Sequence, residues 1–227
     1  MPKPLDKRSL ESIQQAIGYQ FKDHVLLTRA LTHRSASTEH MERLEFLGDA
    51  VLGLTISEQL HEKFPASPEG ELSRMRAALV RKESLMRVAT VWQLDRFLIV
   101  GEGERKDGRL KSQSIAANGV EALIGAVFQE AGWEEASGLV MRSWRPMLDR
   151  IDVDSVLDPK SRLQEFTQGK GWGLPEYSVT DNGVGKSPRF LAQCTVNGEW
   201  VSSGSGDRKK TAELDAAEQA WESIQKR

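Results

Sequence analysis

The spacing of apolar residues changes once along this chain of 227 residues, near residue 150. Before that point apolar side chains recur every three to four residues, as in SRMRAALVRKESLMRVATVW, and this predicts amphipathic helices. After it they alternate with polar residues in PEYSVTDN, RFLAQCTVNG and EWVSSGSG, and this predicts three strands joined by Gly and Asn turns. The two patterns therefore predict two domains of different fold class.

We place the boundaries where the composition changes. An all-α domain is predicted over residues 1–150, a short acidic linker, IDVDSVL, over 151–157, and a small α+β domain over 158–227. Asp158 and Pro159 predict the N-cap and first residue of a helix, and DRKKTAELDAAEQAWESIQKR predicts a closing helix. The order expected in the second domain is α-β-β-β-α.

The composition also bears on the cellular location and the binding partners of the protein. No run of about 18 apolar residues is present, and the polar start MPKPLDKRSL does not read as a signal peptide, so we expect no membrane association. Cys194 is the only cysteine, which rules out a disulfide framework within one chain and favours a cytoplasmic location. The net charge of −2 means that any nucleic-acid signal must be local.

The stretch MERLEFLGDAVLGLTI, residues 41–56, predicts a helix with three carboxylates on one side. At 100° per residue, Glu42, Glu45 and Asp49 fall within a sector of roughly 60°. Between residues 46 and 56 only Asp49 and Thr55 are polar, so we expect most of that stretch to be buried on every side. Asp49 would then have little water around it.

A carboxylate in such surroundings must be protonated, paired with a cation or bound to a metal. A salt bridge from Glu42 or Asp49 to Arg43 or to another arginine is the structural alternative. However, SIAANGVEALIGAVF predicts a second apolar helix, interrupted by Asn118 and Glu121 at i, i+3. Two such helices can form an all-oxygen cage, which favours Mg²⁺ or Mn²⁺ and suits phosphodiester hydrolysis.

These motifs resemble a known family. ERLEFLGDAVL resembles the signature of the ribonuclease III family and GVEALIGAVF its second acidic helix, while HRSAS and PEGELSRMRAALV resemble the flanking segments. The match covers nearly the whole chain, in the bacterial order of nuclease domain and double-stranded-RNA-binding domain. The resemblance implies a homodimer, formed through the nuclease domain, that cuts both strands of an RNA duplex and leaves short 3′ overhangs. It also implies an enzyme of the class of endoribonucleases that processes ribosomal and messenger RNA.

The resemblance further implies roles for individual acids. Glu45, Asp49 and Glu121 match metal ligands, and Asp49 and Glu121 match the residues closest to the chemistry. Glu42 and Glu69 match supporting acids. The implied cofactor is Mg²⁺, for which Mn²⁺ can substitute.

One ligand position departs from the family. This chain has Asn118 where the family carries an aspartate, and losing one ligand charge should weaken metal binding and impair cleavage. A double-stranded-RNA-binding protein without cleavage activity is therefore the rival function, and an ordinary helix N-cap is the structural alternative for this residue. A natural departure, an engineered substitution and an error in the recorded sequence are all compatible with it; we favour the engineered substitution.

RNA-binding residues are predicted from local clusters, because the second domain is neutral overall. Arg208, Lys209 and Lys210 stand where the last helix begins, and its N–H groups and dipole also favour phosphate. A basic triplet is usually solvated surface, but GSGDRKKTAELDAAEQA resembles a binding region of double-stranded-RNA-binding domains. Asp207 departs from that pattern.

Two further regions follow from the same resemblance. RLQEFTQ resembles the helix that meets the minor groove, which makes Gln164 and Glu165 candidates for sugar and base-edge contacts. Lys186 and Arg189, in GVGKSPRF, match a loop that reaches a second minor groove, although the histidine often found there is absent.

A basic loop precedes the second acidic helix of the nuclease domain. Its cations could follow the RNA backbone or could simply be solvated. They are Arg105, Lys106, Arg109 and Lys111.

Overall fold

The computed structural model describes residues 6–152 and 157–225. The chain divides into two compact units, one that ends at Ile151 and one that begins at Asp152. Residues 153–156 of the predicted linker lie outside the described residues. Within the described ranges, no helix has the length and apolar character needed to cross a membrane.

The first unit is helical, as predicted. It also contains two short 3₁₀ turns, at 94–96 and 102–104, and a small hairpin of strands β1 (Arg105–Lys106) and β2 (Arg109–Leu110) that the sequence did not predict. The helices are α1 (Lys7–Ile17), α2 (His24–Ala30), α3 (Glu42–Lys63), α4 (Glu69–Val80), α5 (Lys82–Val91), α6 (Gln113–Ala131) and α7 (Trp133–Leu148).

Helix α6 forms the centre of this unit. Its apolar residues face every direction and are buried, as expected of a helix without a polar face. The helix begins at Gln113, and the Ser112 side chain caps it by accepting a hydrogen bond from the Ser114 amide. Asn118 therefore lies inside the helix, and the N-cap alternative for Asn118 is wrong.

Helices α3 and α6 cross in backbone contact at two glycines. A Cβ atom on Gly48 would lie 1.7 Å from the carbonyl oxygen of Glu121, and one on Gly125 would lie 2.1 Å from the carbonyl oxygen of Leu44. Any larger side chain at either position would push the helices apart. This close approach sets the acidic side of α3 against the acidic turn of α6.

The outer side of α3 differs from the prediction. The expectation that most of residues 46–56 are buried on every side is wrong: Phe46 is 80% exposed, Leu54 is 58% exposed, and Ala50 and Asp49 are also exposed. The apolar spacing reports which side chains avoid water, but it does not report whether the same chain covers them. Here α3 has one buried side and one uncovered apolar strip, formed by Phe46, Ala50 and Leu54.

The second unit has the predicted α-β-β-β-α order. Its elements are α8 (Pro159–Gly169), β3 (Glu176–Asp181), β4 (Phe190–Val196), β5 (Glu199–Gly206) and α9 (Lys209–Gln225). The three strands form one antiparallel sheet in the order β3-β4-β5. Asp158 caps α8 as predicted, because its carboxylate accepts hydrogen bonds from the amides of Lys160 and Ser161.

One face of this sheet packs against α9 through small residues. A Cβ on Gly204 of β5 would lie 2.1 Å from the backbone nitrogen of Ala216, so the helix rests directly on the strand. The Ser202 hydroxyl donates to the Ala216 carbonyl at 2.6 Å and strengthens the same contact. The buried core of the unit consists of Leu163, Phe190, Ala192, Cys194, Val196, Ala212, Ala216, Ala217 and Ala220.

Candidate active site

Three carboxylates interact where α3 crosses α6. Burial, followed by the negative charges of Asp49 and Glu45, raises the pKa of Glu121 to about 8. In the absence of a cation, this carboxyl group is therefore largely protonated at neutral pH. The crossing brings together the acids that the sequence placed on two separate helices.

Glu45, the second of these acids, is partly buried and lies near several polar and charged groups. Burial is the main cause that raises its pKa, and the amide of Asn118, which donates a hydrogen bond to the carboxylate, partly offsets it. The charges of Glu42 and Asp49 raise the pKa further, while Arg34 lowers it. Within the described residues, Glu45 Oε2 is buried and has no hydrogen-bond partner. A buried carboxylate oxygen without a hydrogen-bond partner is stabilised by protonation or by a bound cation.

The two supporting acids have ordinary partners. Glu42 forms a salt bridge with Arg34, Nη1 to Oε1 at 3.1 Å, so the salt-bridge alternative holds for this residue. Glu69 begins α4, is exposed, and accepts a hydrogen bond from the Ser73 hydroxyl at 2.6 Å. Neither acid has the buried, unpartnered oxygen that Glu45 has.

The residues predicted to bind RNA in the second unit lie on its surface. Gln164 and Glu165 are exposed on α8, and Lys186 is exposed between β3 and β4. The cluster Arg208–Lys210 is exposed where α9 begins, as predicted. Beside it, Lys160 of α8 pairs with Glu213, Nζ to Oε2 at 2.8 Å, so the two helices are joined next to the cations.

Two of the predicted RNA-binding arginines are held by contacts within the chain. Arg189 donates through Nε and Nη2 to both oxygens of the Asp181 carboxylate, at 3.1 and 3.0 Å, and lies over the ring of Phe190. Arg105 is bonded to Asp95, Nη1 to Oδ1 at 2.9 Å. These contacts join neighbouring segments, so each arginine has a structural role that the sequence did not indicate.

Comparisons with known proteins agree with both units. Residues 23–147 match the Ribonuclease-III-like family model, and residues 159–224 match the model of the double-stranded RNA binding motif. A protein named Ribonuclease 3 from Idiomarina loihiensis is 42% identical over 99% of this chain and 98% of its own length. A protein of the same name from Pasteurella multocida is 44% identical over 93% of this chain and 95% of its own. The chain belongs to the ribonuclease III family.

Solved structures of this family also match the first unit. The nuclease domain of ribonuclease III from Campylobacter jejuni is 41% identical, with a TM-score of 0.58, and the match covers 63% of this chain and 97% of that domain. A second structure of that domain, which describes flexibility in the region involved in dimer formation, matches with the same TM-score over 60% and 96%. The predicted family and fold class are confirmed.

The donor set fits the divalent ion implied by the ribonuclease III family. Its side-chain donors are oxygens, the type of ligand that Mg²⁺ and Mn²⁺ prefer, and one of them is buried without a partner in the described part of the chain. Over residues 6–152 and 157–225, no three His, Cys, Asp or Glu side chains already enclose a metal position. The carboxylates would therefore need to reorient, or water would need to complete the coordination.

The residues that position the site in this ribonuclease III fold were missed by reasoning from the sequence. Gly48 and Gly125 set the distance between the acidic helices, yet each looks like an ordinary residue of an apolar stretch. A glycine inside a predicted helix costs helix stability relative to alanine, so its presence in two such helices was the available signal.

Proposed function

We propose that this chain is a cytoplasmic endoribonuclease specific for double-stranded RNA, which hydrolyses phosphodiesters on both strands with a divalent metal. Processing of ribosomal and messenger RNA is the class of reaction that fits it. The observation that carries the proposal is the cluster of Glu45, Asp49 and Glu121: burial and the charge of Asp49 raise the pKa of both glutamates, and Glu45 Oε2 is buried without a hydrogen-bond partner among the described residues. The double-stranded RNA binding motif in the same chain supports the substrate.

In this proposal Glu45, Asp49 and Glu121 hold Mg²⁺ or Mn²⁺, partly through water. When bound, the ion activates water and neutralises charge on the departing oxygen. Asp49 and Glu121 would lie closest to the chemistry, and Glu121, which is largely protonated on its own, would hold the ion as a carboxylate.

Asn118 impairs the reaction in this proposal, because it supplies a neutral amide where the family has a charge. The hydrogen bond that it donates to Glu45 supports the rival function, a double-stranded-RNA-binding protein without cleavage, since the bond stabilises the metal-free carboxylate. The experiment that separates the two functions measures strand cleavage of a long RNA duplex in Mg²⁺ and in EDTA, by this chain and by its Asn118→Asp variant.

RNA affinity should come largely from the second unit. Gln164, Glu165 and Lys186 are proposed contacts, together with the Arg208–Lys210 cluster and, in the first unit, Lys106, Arg109 and Lys111. Replacing Lys209 and Lys210 together by alanine should weaken binding to an RNA duplex. It should also make the dependence of log affinity on log salt shallower by about one to two units, since phosphate contacts release counterions. Filter binding over a range of salt concentrations measures both effects.

The matched control replaces Lys7 and Lys22, exposed lysines of the first unit, by alanine. This double variant removes the same charge outside the proposed contact surface. An equal loss of affinity and of salt slope in the two double variants would show that net charge, rather than the start of α9, attracts the RNA.

We also propose that two copies form a C₂ homodimer through the first unit, because one enzyme that cuts both strands needs two sites related by a two-fold axis. The strip of Phe46, Ala50 and Leu54 is uncovered and adjoins Asp49, and it supports this assembly. Such a strip is the kind of apolar patch that proteins bury in an interface.

Replacing Phe46 by serine should weaken this dimer by about thirtyfold, since truncating a central aromatic in an interface costs about 2 kcal/mol. Sedimentation velocity should then shift toward a monomer of 25.4 kDa. Val91→Ser is the control, because Val91 of α5 is exposed to a similar extent, 75%. A parent chain that sediments as a monomer at micromolar concentration would rule out the dimer.

A further inference from the structure

Arg105 uses its guanidinium group within the protein. Nη1 donates to the Asp95 carboxylate at 2.9 Å and to the Gly108 carbonyl at 3.1 Å. Nη2 donates to the carbonyls of Asp95 at 2.5 Å and Leu98 at 3.3 Å. A guanidinium group has five N–H donors, so these four bonds leave only the Nε–H for a phosphate.

A second contact holds the chain just before the hairpin. Thr32 and Ile99 form a parallel bridge, in which the His33 amide donates to the Ile99 carbonyl at 2.9 Å. The Gly101 amide then donates to the Ser35 hydroxyl at 2.9 Å, and this hydroxyl also lies 2.8 Å from His33 Nδ1. The HRSAS segment is therefore bonded to the segment 99–101, which leads through the 3₁₀ turn at 102–104 into the hairpin.

The hairpin needs such support because its own ladder is short. Strands β1 and β2 pair only two residues each, and a ladder of that length is not stable alone. The hairpin cations differ in their exposure to solvent. Lys106, Arg109 and Lys111 are exposed, whereas the Arg105 side chain is only 29% exposed. The contacts at its base therefore decide where these three cations lie.

We propose that Arg105 is a positioning residue rather than an RNA contact. Together with Ser35, it fixes the hairpin on the helical unit. Lys106, Arg109 and Lys111 are then held in position before the RNA backbone binds to them. A pre-organised set of cations binds more tightly than a mobile one, because less conformational freedom is lost on binding. This inference rests on the proposed function, since it takes duplex RNA as the ligand of the hairpin.

The test uses two full-length variants that leave the three exposed cations intact. Arg105→Lys retains the charge but lacks the fork that reaches Asp95, Gly108 and Leu98 at once. Asp95→Ala removes the carboxylate partner and makes the protein more positive by one charge. If the hairpin acted by charge alone, Asp95→Ala would bind RNA more tightly.

The parent for the kinetic measurement is the Asn118→Asp protein. In both variants we expect amide hydrogen exchange over residues 101–111 to be roughly tenfold faster, as expected when a charged hydrogen bond is lost. We expect KM for an RNA duplex to rise about fivefold, with kcat within about twofold, since uniform binding is lost rather than transition-state contacts.

The pair Arg145 and Asp149 of α7, with Nε and Oδ1 3.2 Å apart, supplies the controls. Arg145→Lys and Asp149→Ala make the same chemical changes and should alter neither measurement.

Parent-like exchange over 101–111 in Arg105→Lys and Asp95→Ala would overturn the proposal, whatever the protein's activity. Faster exchange with an unchanged KM would also overturn it, because the position of the hairpin would then not matter to RNA. Failure of the proposed function shows separately, as no duplex cleavage by the Asn118→Asp parent. In that case RNA binding is measured instead of KM, as the duplex concentration that gives half-maximal protection of residues 101–111 from exchange. We expect this concentration to be about fivefold higher for Arg105→Lys and Asp95→Ala than for the parent.

Discussion

Asn118→Asp is expected to raise the rate at which this protein cleaves a long RNA duplex in Mg²⁺ by orders of magnitude. The substitution adds a fourth negative ligand to Glu45, Asp49 and Glu121, and affinity for a hard cation depends on ligand charge. It also replaces the Asn118 amide, which donates a hydrogen bond to Glu45, by a carboxylate that repels the negative charge of Glu45. The metal-free variant should therefore be less stable than the parent, and Mg²⁺ should raise its Tm by more than it raises that of the parent.

The controls for this prediction separate chemistry from binding. Affinity for the duplex in Ca²⁺ should change little, because the second unit supplies most of the proposed contacts. Glu121→Gln in the Asn118→Asp background should abolish the gain. Asn118 precedes a glycine and can deamidate, so mass spectrometry must show an intact asparagine in the parent. Equal cleavage rates for intact parent and variant would mean that the other carboxylates alone hold the metal.

Gly48→Ala is expected to lower the free energy of unfolding of the first unit by about 3 kcal/mol, the upper end of the usual range for overpacking, because the contact is with rigid backbone. The added Cβ would lie 1.7 Å from the Glu121 carbonyl oxygen, which is backbone and cannot rotate away. Helices α3 and α6 must then separate, and the acids that they carry must separate with them. Urea unfolding followed by circular dichroism measures the loss, and duplex cleavage in the Asn118→Asp background should fall in parallel.

Gly53 provides the matched control on the same helix. A Cβ at Gly53 would meet no atom of the described residues within 4 Å. Gly53→Ala should therefore stabilise α3 by about 0.5–1 kcal/mol, the difference in helix propensity between the two residues. If Gly48→Ala and Gly53→Ala unfold at the same urea concentration, the close crossing at Gly48 is wrong.

Much of the fold followed from features that act over a few neighbouring residues. The Asp158 cap, the period-two strands and the turn at Asn197 and Gly198, where both residues have positive φ, depend on local hydrogen bonds and backbone sterics. The family motifs around Asp49 and Glu121 were equally legible, because they place particular acids on particular helix turns. The comparisons confirmed the family that these motifs indicated.

By itself, the sequence therefore determined the order of the two units, the type of nearly every element and the family. Only the tertiary structure decided that Phe46 and Leu54 are exposed, that Arg105 is bound to Asp95, and that Gly48 lets α3 touch α6. The physical reason is that helix periodicity and capping are local, whereas burial, ion pairing and close approach depend on residues far away in the chain. Asp95 and Glu121 are visible in the sequence, but which side chains meet them is a property of the packed structure.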